Sequence, residues 1–322
     1  MHALTFSRFG GPEVLQWTEL PDPQPAPGVA VVRTLAIGLN FADVYRRQGR
    51  YHLAGSPPWV AGYEAAGEIA ALHPDDAGGR FHLGQRVAFA DSPFANAELV
   101  AVKQSHLLAL PDDIDFDRAA AVLLQGLTAQ FLLEDSHVVR AGERLLVHAA
   151  GGGVGQLLLQ LARAKGAETI ALASGEDKRR AALAAGAAHA LDSGDGWVER
   201  VRALAPLGVD VVYDSIGRTL GDSLALARTG GTVVFYGMAA GDPDPVDPRL
   251  LMDRSLTLVG GDLWNVLTNA QARQQRADRL FEAVRAGRLR VQVAARIALR
   301  DGAQGHALLE GRGSAGKVLL IP

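Results

Sequence analysis

Residues 145–166 read LLVHAAGGGVGQLLLQLARAKG, a short apolar run followed by glycines and then by apolar residues at helical spacing. This order is typical of a strand, a tight turn and a helix. Ala150, Gly152 and Gly155 match the dinucleotide-binding pattern G-x-G-x-x-G, with alanine in place of the first glycine. Such a turn brings a helix N-terminus against a pyrophosphate. The stretch therefore predicts a dinucleotide site that includes Gly153 and Val154; the alternative is a tight turn without a ligand.

The segments around this turn repeat the alternation of short apolar runs and amphipathic stretches. We predict strands at residues 144–148, 169–173, 188–191, 209–213, 232–236 and 256–259. Helices are predicted between them, at residues 154–165, 177–185, 197–204 and 220–227. Strands that alternate with helices indicate βαβ units. The fold class is therefore α/β, with a doubly wound parallel sheet of the Rossmann type.

The N-terminal third is rich in glycine and proline and indicates a β-rich, antiparallel region. Its predicted strands lie at residues 29–35, 64–72, 85–90 and 97–102. After the parallel sheet, a helix at 269–286, a strand at 295–299, a short helix and a strand at 317–321 break the alternation. We expect this segment to return to the first domain. The predicted domains are thus a discontinuous β-rich domain (1–121 and 264–322) and a Rossmann domain (122–263).

Composition limits the classes of function. The chain has 322 residues, a formal net charge of −3 and 21% charged residues, so it has no basic excess that would favour nucleic acid. No apolar run reaches the roughly 18 residues of a spanning helix, and the N-terminus lacks a signal-peptide pattern. We therefore expect a cytoplasmic protein without a membrane partner. The absence of cysteine excludes thiolate zinc sites, and the nine histidines form no close-spaced ligand pair.

The residue after the second strand of the parallel sheet bears on the choice of cofactor. An NAD enzyme carries an acidic residue about 20 positions after the glycine turn, where it binds the ribose hydroxyls. Here Ser174 stands at that place, and residues 174–180 read SGEDKRR. A hydroxyl and nearby cations suit a 2′-phosphate and favour NADPH. The alternative is that the three cations form a solvated helix face, beside carboxylates that weaken their effect.

Five ordered segments carry a resemblance to a known family: GLNFADVY (38–45), GYEAAG (62–67), LQGLTA (124–129), HAAGGGVG (148–155) and VVYDSIG (211–217). They resemble the zinc-independent quinone oxidoreductases of the medium-chain dehydrogenase/reductase superfamily. The resemblance implies a GroES-like β-rich domain, a homodimer, and NADPH-dependent hydride transfer to a quinone in a cleft between the domains. The apolar strand near residues 255–259 is a candidate edge strand through which two copies would pair.

The same resemblance implies that no metal takes part. The zinc enzymes of the superfamily have a cysteine at the position of Asn40 and a histidine at that of Tyr63; Glu64 remains from their pattern. Without a metal to polarise a carbonyl, the substrate should accept hydride readily, and a quinone does so.

Site residues follow from the resemblance. It places Asn40, Asp43, Tyr45 and Tyr51 on the acceptor side, the tyrosines as hydroxyl donors or stacking faces and the other two as positioning groups. The alternatives are that the tyrosines are core residues and that Asp43 is a helix N-terminal residue.

For the cofactor, the resemblance implies Thr128 near the nicotinamide and residues 214–217 and 236–237 along the cleft, including Ser215, Gly217, Tyr236 and Gly237. It implies Ser174, Lys178 and Arg312 near the 2′-phosphate. Ser193 replaces a tyrosine common in the family, and Gly260 stands near where an arginine enters the cleft.

Two other functions remain open at this stage. A related metal-free reductase of enones or enals would use the same cofactor domain. A non-catalytic NADPH-binding protein, of the crystallin or sensor kind, would bind the cofactor without turnover.

Overall fold

The computed structural model describes residues 1–311 and 315–322. They form two compact units, one of residues 1–127 with 267–322 and one of residues 128–266. The strands are β1 (His2–Phe6), β2 (Gln16–Glu19), β3 (Val29–Gly38), β4 (Trp59–Val60), β5 (Glu64–Ala71), β6 (Arg86–Ala90), β7 (Leu99–Lys103), β8 (Leu108–Ala109), β9 (Arg144–Val147), β10 (Glu168–Ala173), β11 (His189–Asp192), β12 (Val209–Asp214), β13 (Ala227–Phe235), β14 (Thr257–Gly260), β15 (Val293–Ala298) and β16 (Lys317–Ile321).

The α-helices are α1 (Phe41–Arg47), α2 (Phe116–Phe131), α3 (Gly153–Ala164), α4 (Glu176–Ala184), α5 (Trp197–Leu204), α6 (Leu220–Leu226), α7 (Pro248–Arg254), α8 (Ala270–Arg285) and α9 (Gly302–Glu310). In the described part of the chain, no helix is both long enough and apolar enough to cross a membrane.

The second unit is built on one parallel sheet. Its strand order is β11-β10-β9-β12-β13-β14, and each neighbouring pair is parallel. Leu146, Ile170, Val212 and Val233 are fully buried in the core beside this sheet. Parallel strands covered on both faces carry near-continuous apolar runs, which is why the sequence pattern was readable. The predicted doubly wound α/β fold is confirmed, and β14 is an edge strand.

The first unit is β-rich. Its larger sheet has the order β15-β16-β3-β5-β6-β8, with β7 also paired to β3, and a smaller sheet has the order β2-β1-β4. Most pairs are antiparallel, and β16 pairs with β3 in the register Leu319 to Gly38. Ile37, Phe89 and Leu320 are fully buried between these strands. The last segment of the chain therefore packs with the first, while the predicted domain bounds, 1–121 with 264–322 and 122–263, stay a prediction.

Several elements differ from the sequence prediction. Strands β1 and β2 and helices α1 and α7 were not predicted, and β3 continues to Gly38 instead of ending at residue 35. Strand β13 begins at Ala227, upstream of its predicted start at residue 232. The strand runs through Gly230 and Gly231, with Gly230 at a φ of 74°.

A buried cluster of charged and polar groups joins β5, β16, α2 and the start of α1 in the first unit. The Lys317 ammonium at the start of β16 donates to Glu64 Oε2 at 2.6 Å and to Asn40 Oδ1 at 2.8 Å. The Asn40 amide donates to Glu64 Oε2 at 2.8 Å, and Glu64 Oε1 accepts the Leu124 N–H at 2.6 Å. The side chains of Lys317 and Glu64 are both fully buried. Each charge thus depends on the other for its place in the core.

We expect Lys317→Met to lower the free energy of unfolding by about 3–5 kcal/mol, because it leaves the Glu64 carboxylate buried without its cation. Urea titrations of this variant and the wild type would measure the two free energies of unfolding. The double variant Lys317→Met/Glu64→Gln should recover much of the loss, since no uncompensated charge remains. Arg249→Ala, which breaks the exposed pair with Asp247, is the matched control and should cost less than about 1 kcal/mol. A similarly small cost for Lys317→Met would contradict the prediction.

Candidate active site

The glycine turn lies between β9 and α3, as predicted. Gly152 is the N-cap residue of α3, with extended backbone and no capping side chain, and Gly153 and Val154 are the first residues of the helix. A Cβ at Gly155 would lie 2.6 Å from the Ala149 carbonyl oxygen and 2.7 Å from Ala150 Cα. Only glycine therefore allows α3 to approach the end of β9 this closely. The resulting uncapped helix N-terminus fits the phosphates of a dinucleotide.

Asp214, at the end of β12, organises the neighbouring turn. Its Oδ1 accepts the N–H groups of Ile216 at 2.8 Å and Gly217 at 3.2 Å, and its Oδ2 accepts the hydroxyls of Thr219 and Ser223 at 2.7 Å. Burial alone would raise the pKa of the Asp214 carboxyl, but nearby His148 and these hydrogen bonds hold it below its usual range. Asp214 is thus a buried, ionised hub for the turn at residues 214–217.

His148 links this hub to the glycine turn. Its Nε2 lies 3.0 Å from Ser223 Oγ, and its ring packs edge-on against Trp197. Burial lowers the pKa of His148, so the ring is neutral at neutral pH. The Ser223 hydroxyl gives its one proton to Asp214, so the imidazole donates to Ser223 and does not activate it. The three side chains therefore connect the ends of β9 and β12 and do not form a nucleophilic triad.

The structure brings together four predicted cofactor residues at this edge of the parallel sheet. The Tyr236 N–H donates to the Asp214 carbonyl at 2.9 Å. A Cβ at Gly237 would lie 3.1 Å from the Ser215 carbonyl oxygen, so the two segments are in close contact. Gly217 has a φ of 88°, and a Cβ there would lie 2.1 Å from the Gly241 carbonyl oxygen. In open parallel sheets, ligands bind at this end of the strands.

Two of the three predicted 2′-phosphate residues, Ser174 and Lys178, lie at the same edge. Ser174 is exposed directly after β10, and the Ser193 N–H donates to the Ala173 carbonyl at 3.3 Å, which places Ser193 beside Ser174. Lys178 lies on α4 against the glycine turn, where a Cβ at Gly151 would come within 2.6 Å of the Lys178 Cβ. Thr128 lies on α2. Arg312 lies outside the described residues.

The predicted acceptor residues lie on α1 and on the chain directly before and after it, in the first unit. Asn40 is the N-cap residue, and its backbone N–H donates to Asp43 Oδ2 at 2.9 Å. Asp43 Oδ1 lies 3.4 Å from the Arg46 guanidinium, and burial raises the pKa of the Asp43 carboxyl despite this cation. Asp43 therefore has the position of a helix N-terminal residue, which was the alternative interpretation. Its part in catalysis stays a prediction.

Arg46, which was not predicted as a site residue, lies against the rings of Tyr51 and Tyr63. Its guanidinium carbon is 3.5 Å from the Tyr63 ring centroid and 5.0 Å from that of Tyr51, and its Nε donates to the His52 carbonyl at 3.1 Å. The rings of Tyr45 and Tyr51 pack edge-on with centroids 6.5 Å apart. The structure thus brings the two predicted tyrosines together. A signal was present, since Asp43 and Arg46 have the spacing of a helical ion pair.

Comparisons with known proteins agree with this architecture. Residues 26–138 match the family profile described as alcohol dehydrogenase GroES-like domain, and residues 153–280 match the one described as zinc-binding dehydrogenase. The chain is 38% identical to a quinone oxidoreductase of Pseudomonas aeruginosa, with 99% of each chain covered. It is 36% identical to a 2-haloacrylate reductase of a Burkholderia species, covering 99% of this chain and 98% of the relative.

A solved structure of Escherichia coli quinone oxidoreductase in complex with NADPH superposes with a TM-score of 0.95, at 33% identity and full coverage of both chains. The glycine turn, the β-rich unit and these full-length matches all indicate the same family. The chain is an oxidoreductase that belongs to the quinone oxidoreductase family of the medium-chain dehydrogenase/reductase superfamily.

Proposed function

We propose that this chain catalyses NADPH-dependent, metal-independent hydride transfer to a quinone. The observation that carries the proposal is the glycine turn at the edge of the parallel sheet, where Gly155 admits no side chain and Ser174 replaces the acidic ribose anchor. The relatives named quinone oxidoreductase support the acceptor class, and the complex of the Escherichia coli relative supports NADPH.

The chain's own residues have distinct tasks in this proposal. NADPH supplies a hydride from its nicotinamide ring when bound. The uncapped start of α3 binds its phosphates, together with Gly152, Gly153, Val154 and Gly155. Tyr45 and Tyr51 hold the acceptor ring by stacking and give hydrogen bonds to its oxygens, which become more basic as charge arrives. That the acceptor binds between the domains stays a prediction.

The donor set at the superfamily's zinc positions does not fit zinc. Asn40 and Tyr63 replace the ligands, the Lys317 ammonium contacts Asn40 and Glu64, and the Tyr63 hydroxyl accepts the Ala54 N–H at 3.0 Å. A protein cation beside these groups opposes a metal ion through charge repulsion. Among the described residues, no group of three or more histidines or carboxylates is arranged to hold a metal. We therefore derive no step through zinc, although one matching profile is described as zinc-binding.

A reductase of activated double bonds is the second candidate. It is favoured by the match to the 2-haloacrylate reductase, whose named substrate carries a carboxylate, and by the Arg46 cation among the tyrosines. A non-catalytic NADPH-binding protein remains the alternative from another class.

The proposal also includes a cytoplasmic homodimer, with no nucleic acid or membrane as partner. The support for the dimer is β14, which ends the parallel sheet and presents Leu258 and Val259 half-buried. An edge strand of this kind is commonly covered by pairing with a second copy.

NADPH oxidation by benzoquinones, enones and 2-haloacrylates, measured side by side and repeated with NADH, tests the function. We expect the highest kcat/KM with NADPH and a quinone. Faster turnover of enones or haloacrylates would favour the second candidate. Binding of NADPH with no turnover of any acceptor would favour the non-catalytic alternative.

Prolonged treatment with EDTA and 1,10-phenanthroline should leave kcat/KM for the quinone unchanged, because the site carries protein cations where zinc would bind. A zinc-dependent alcohol dehydrogenase treated in parallel serves as the control and should lose activity. Loss of activity here, restored by stoichiometric zinc, would refute metal independence.

Tyr45→Phe and Tyr51→Phe each keep the ring and remove the hydroxyl. We expect each to lower kcat/KM for the quinone about three- to tenfold, the equivalent of one hydrogen bond, and to leave the Kd for NADPH unchanged. Steady-state kinetics and calorimetric titration separate the two effects. If both variants kept wild-type quinone kinetics, the tyrosines would be core residues only.

A further inference from the structure

An ion pair spans α4 and the end of β11 in the second unit. Arg179 Nη1 donates to Asp192 Oδ2, and both side chains are partly exposed, at 28% and 47%. Asp192 is the last residue of β11 and pairs with Ala173, the last residue of β10. The ion pair therefore lies at the carboxyl end of the parallel strands, as Ser174 does.

The carboxylate of this pair is fixed by its own turn. Asp192 Oδ1 accepts the Gly194 N–H at 2.7 Å, and the Arg200 guanidinium donates to the carbonyls of Asp192 at 3.0 Å and Gly194 at 2.9 Å. The Gly194 N–H, with Arg179 and Arg200 nearby, holds the pKa of the Asp192 carboxyl below its usual range. Asp192 is thus ionised at neutral pH, and it anchors the guanidinium of Arg179 beside Ser193.

The small side chain of Ser193 leaves space beside the Arg179–Asp192 ion pair. Ser193 is small and exposed, and its N–H donates to the Ala173 carbonyl, next to Ser174. Lys178 precedes Arg179 on the same helix and lies against the glycine turn. Two cations and two serines thus come together where the ribose end of a dinucleotide lies in a Rossmann unit.

We propose that Arg179 binds the 2′-phosphate of NADPH and that Asp192 sets how strongly this phosphate is preferred. The inference rests on the proposed function. A guanidinium has five N–H donors, so the bond from Nη1 to Asp192 leaves donors that can face a phosphate. Asp192 acts in two opposed ways: it holds Arg179 in place, and its charge repels the phosphate.

The test is the Kd of NADPH, NADH, 2′,5′-ADP and 5′-AMP by isothermal titration calorimetry, which needs no acceptor and no turnover. We expect Arg179→Ala to weaken NADPH and 2′,5′-ADP about tenfold and to leave NADH and 5′-AMP within about twofold, as for one partly exposed charge-assisted hydrogen bond. Asp192→Asn should strengthen NADPH severalfold and leave NADH within about twofold, because the Asn amide oxygen can still accept from Arg179 while the charge that repels the phosphate is lost. Lys178→Ala removes a cation already proposed to bind the 2′-phosphate. Its loss of NADPH affinity can be compared directly with that of Arg179→Ala.

Arg180→Ala is the matched control, because it removes the same charge from the same helix. Arg180 pairs with Asp177 and is 68% exposed, so its loss should change all four ligands by less than about twofold. Arg179→Lys keeps the charge and loses the planar fork, and its NADPH affinity should lie between those of the wild type and Arg179→Ala. This variant also serves if the alanine variant folds poorly.

The outcomes separate this inference from the proposed function. If the wild type prefers NADPH but Arg179→Ala loses no more than Arg180→Ala, or loses equally for NADPH and NADH, the role of Arg179 is refuted and the proposed function stands. If the wild type binds NADPH and NADH equally, the proposed NADPH dependence itself fails.

Discussion

The contact between Gly155 and the end of β9 is the constraint on which the cofactor unit depends. A helix that starts this close to a strand needs a residue without a side chain, because a Cβ would lie 2.6 Å from a backbone oxygen. This approach places the uncapped N-terminus of α3 at the carboxyl edge of the sheet. The turn at Gly151 then receives α4 at van der Waals contact, and α4 carries Lys178 and Arg179. The predicted phosphate-binding surface thus depends on close backbone approaches at Gly151 and Gly155 that a side chain would block.

Asp214 extends this arrangement to the next strand. Its carboxylate accepts four hydrogen bonds from the turn and from α6, and through Ser223 it reaches His148 beside the glycine turn. A buried carboxylate is costly unless it is fully hydrogen-bonded, so these four bonds stabilise the observed arrangement of the network. The ends of β9 and β12 are consequently held in register at the place where we predict that the dinucleotide binds. Pre-organisation of this kind reduces what binding must spend on ordering loops.

The sequence predicted the second unit well and the first unit less well, for a physical reason. Parallel strands and their helices carry local patterns, and the glycine turn carries a motif, so both were readable along the chain. Helix α1 spans only Phe41–Arg47 and is too short to be stable alone. It is held by contacts distant in sequence: Arg47 pairs with Glu310 and contacts His306, whose pKa burial lowers to about 3. No local sequence pattern indicates such distant partners. The contacts of Lys317 with Asn40 and Glu64 were missed for the same reason.

The buried charges also limit what the Asn40 side chain can bind. Both amide hydrogens of Asn40 are used inside the protein, one by the Gly38 carbonyl at 3.1 Å and one by Glu64. Its oxygen already accepts from Lys317, and its side chain is almost fully buried. Asn40 therefore has no amide donor left for an acceptor in this arrangement, and its task is to fix the start of α1. The Arg46 guanidinium donates to the His52 carbonyl and lies over the Tyr51 ring. Tyr45 and Tyr51, carried by α1 and the following loop, therefore remain the predicted hydrogen-bond donors to the acceptor.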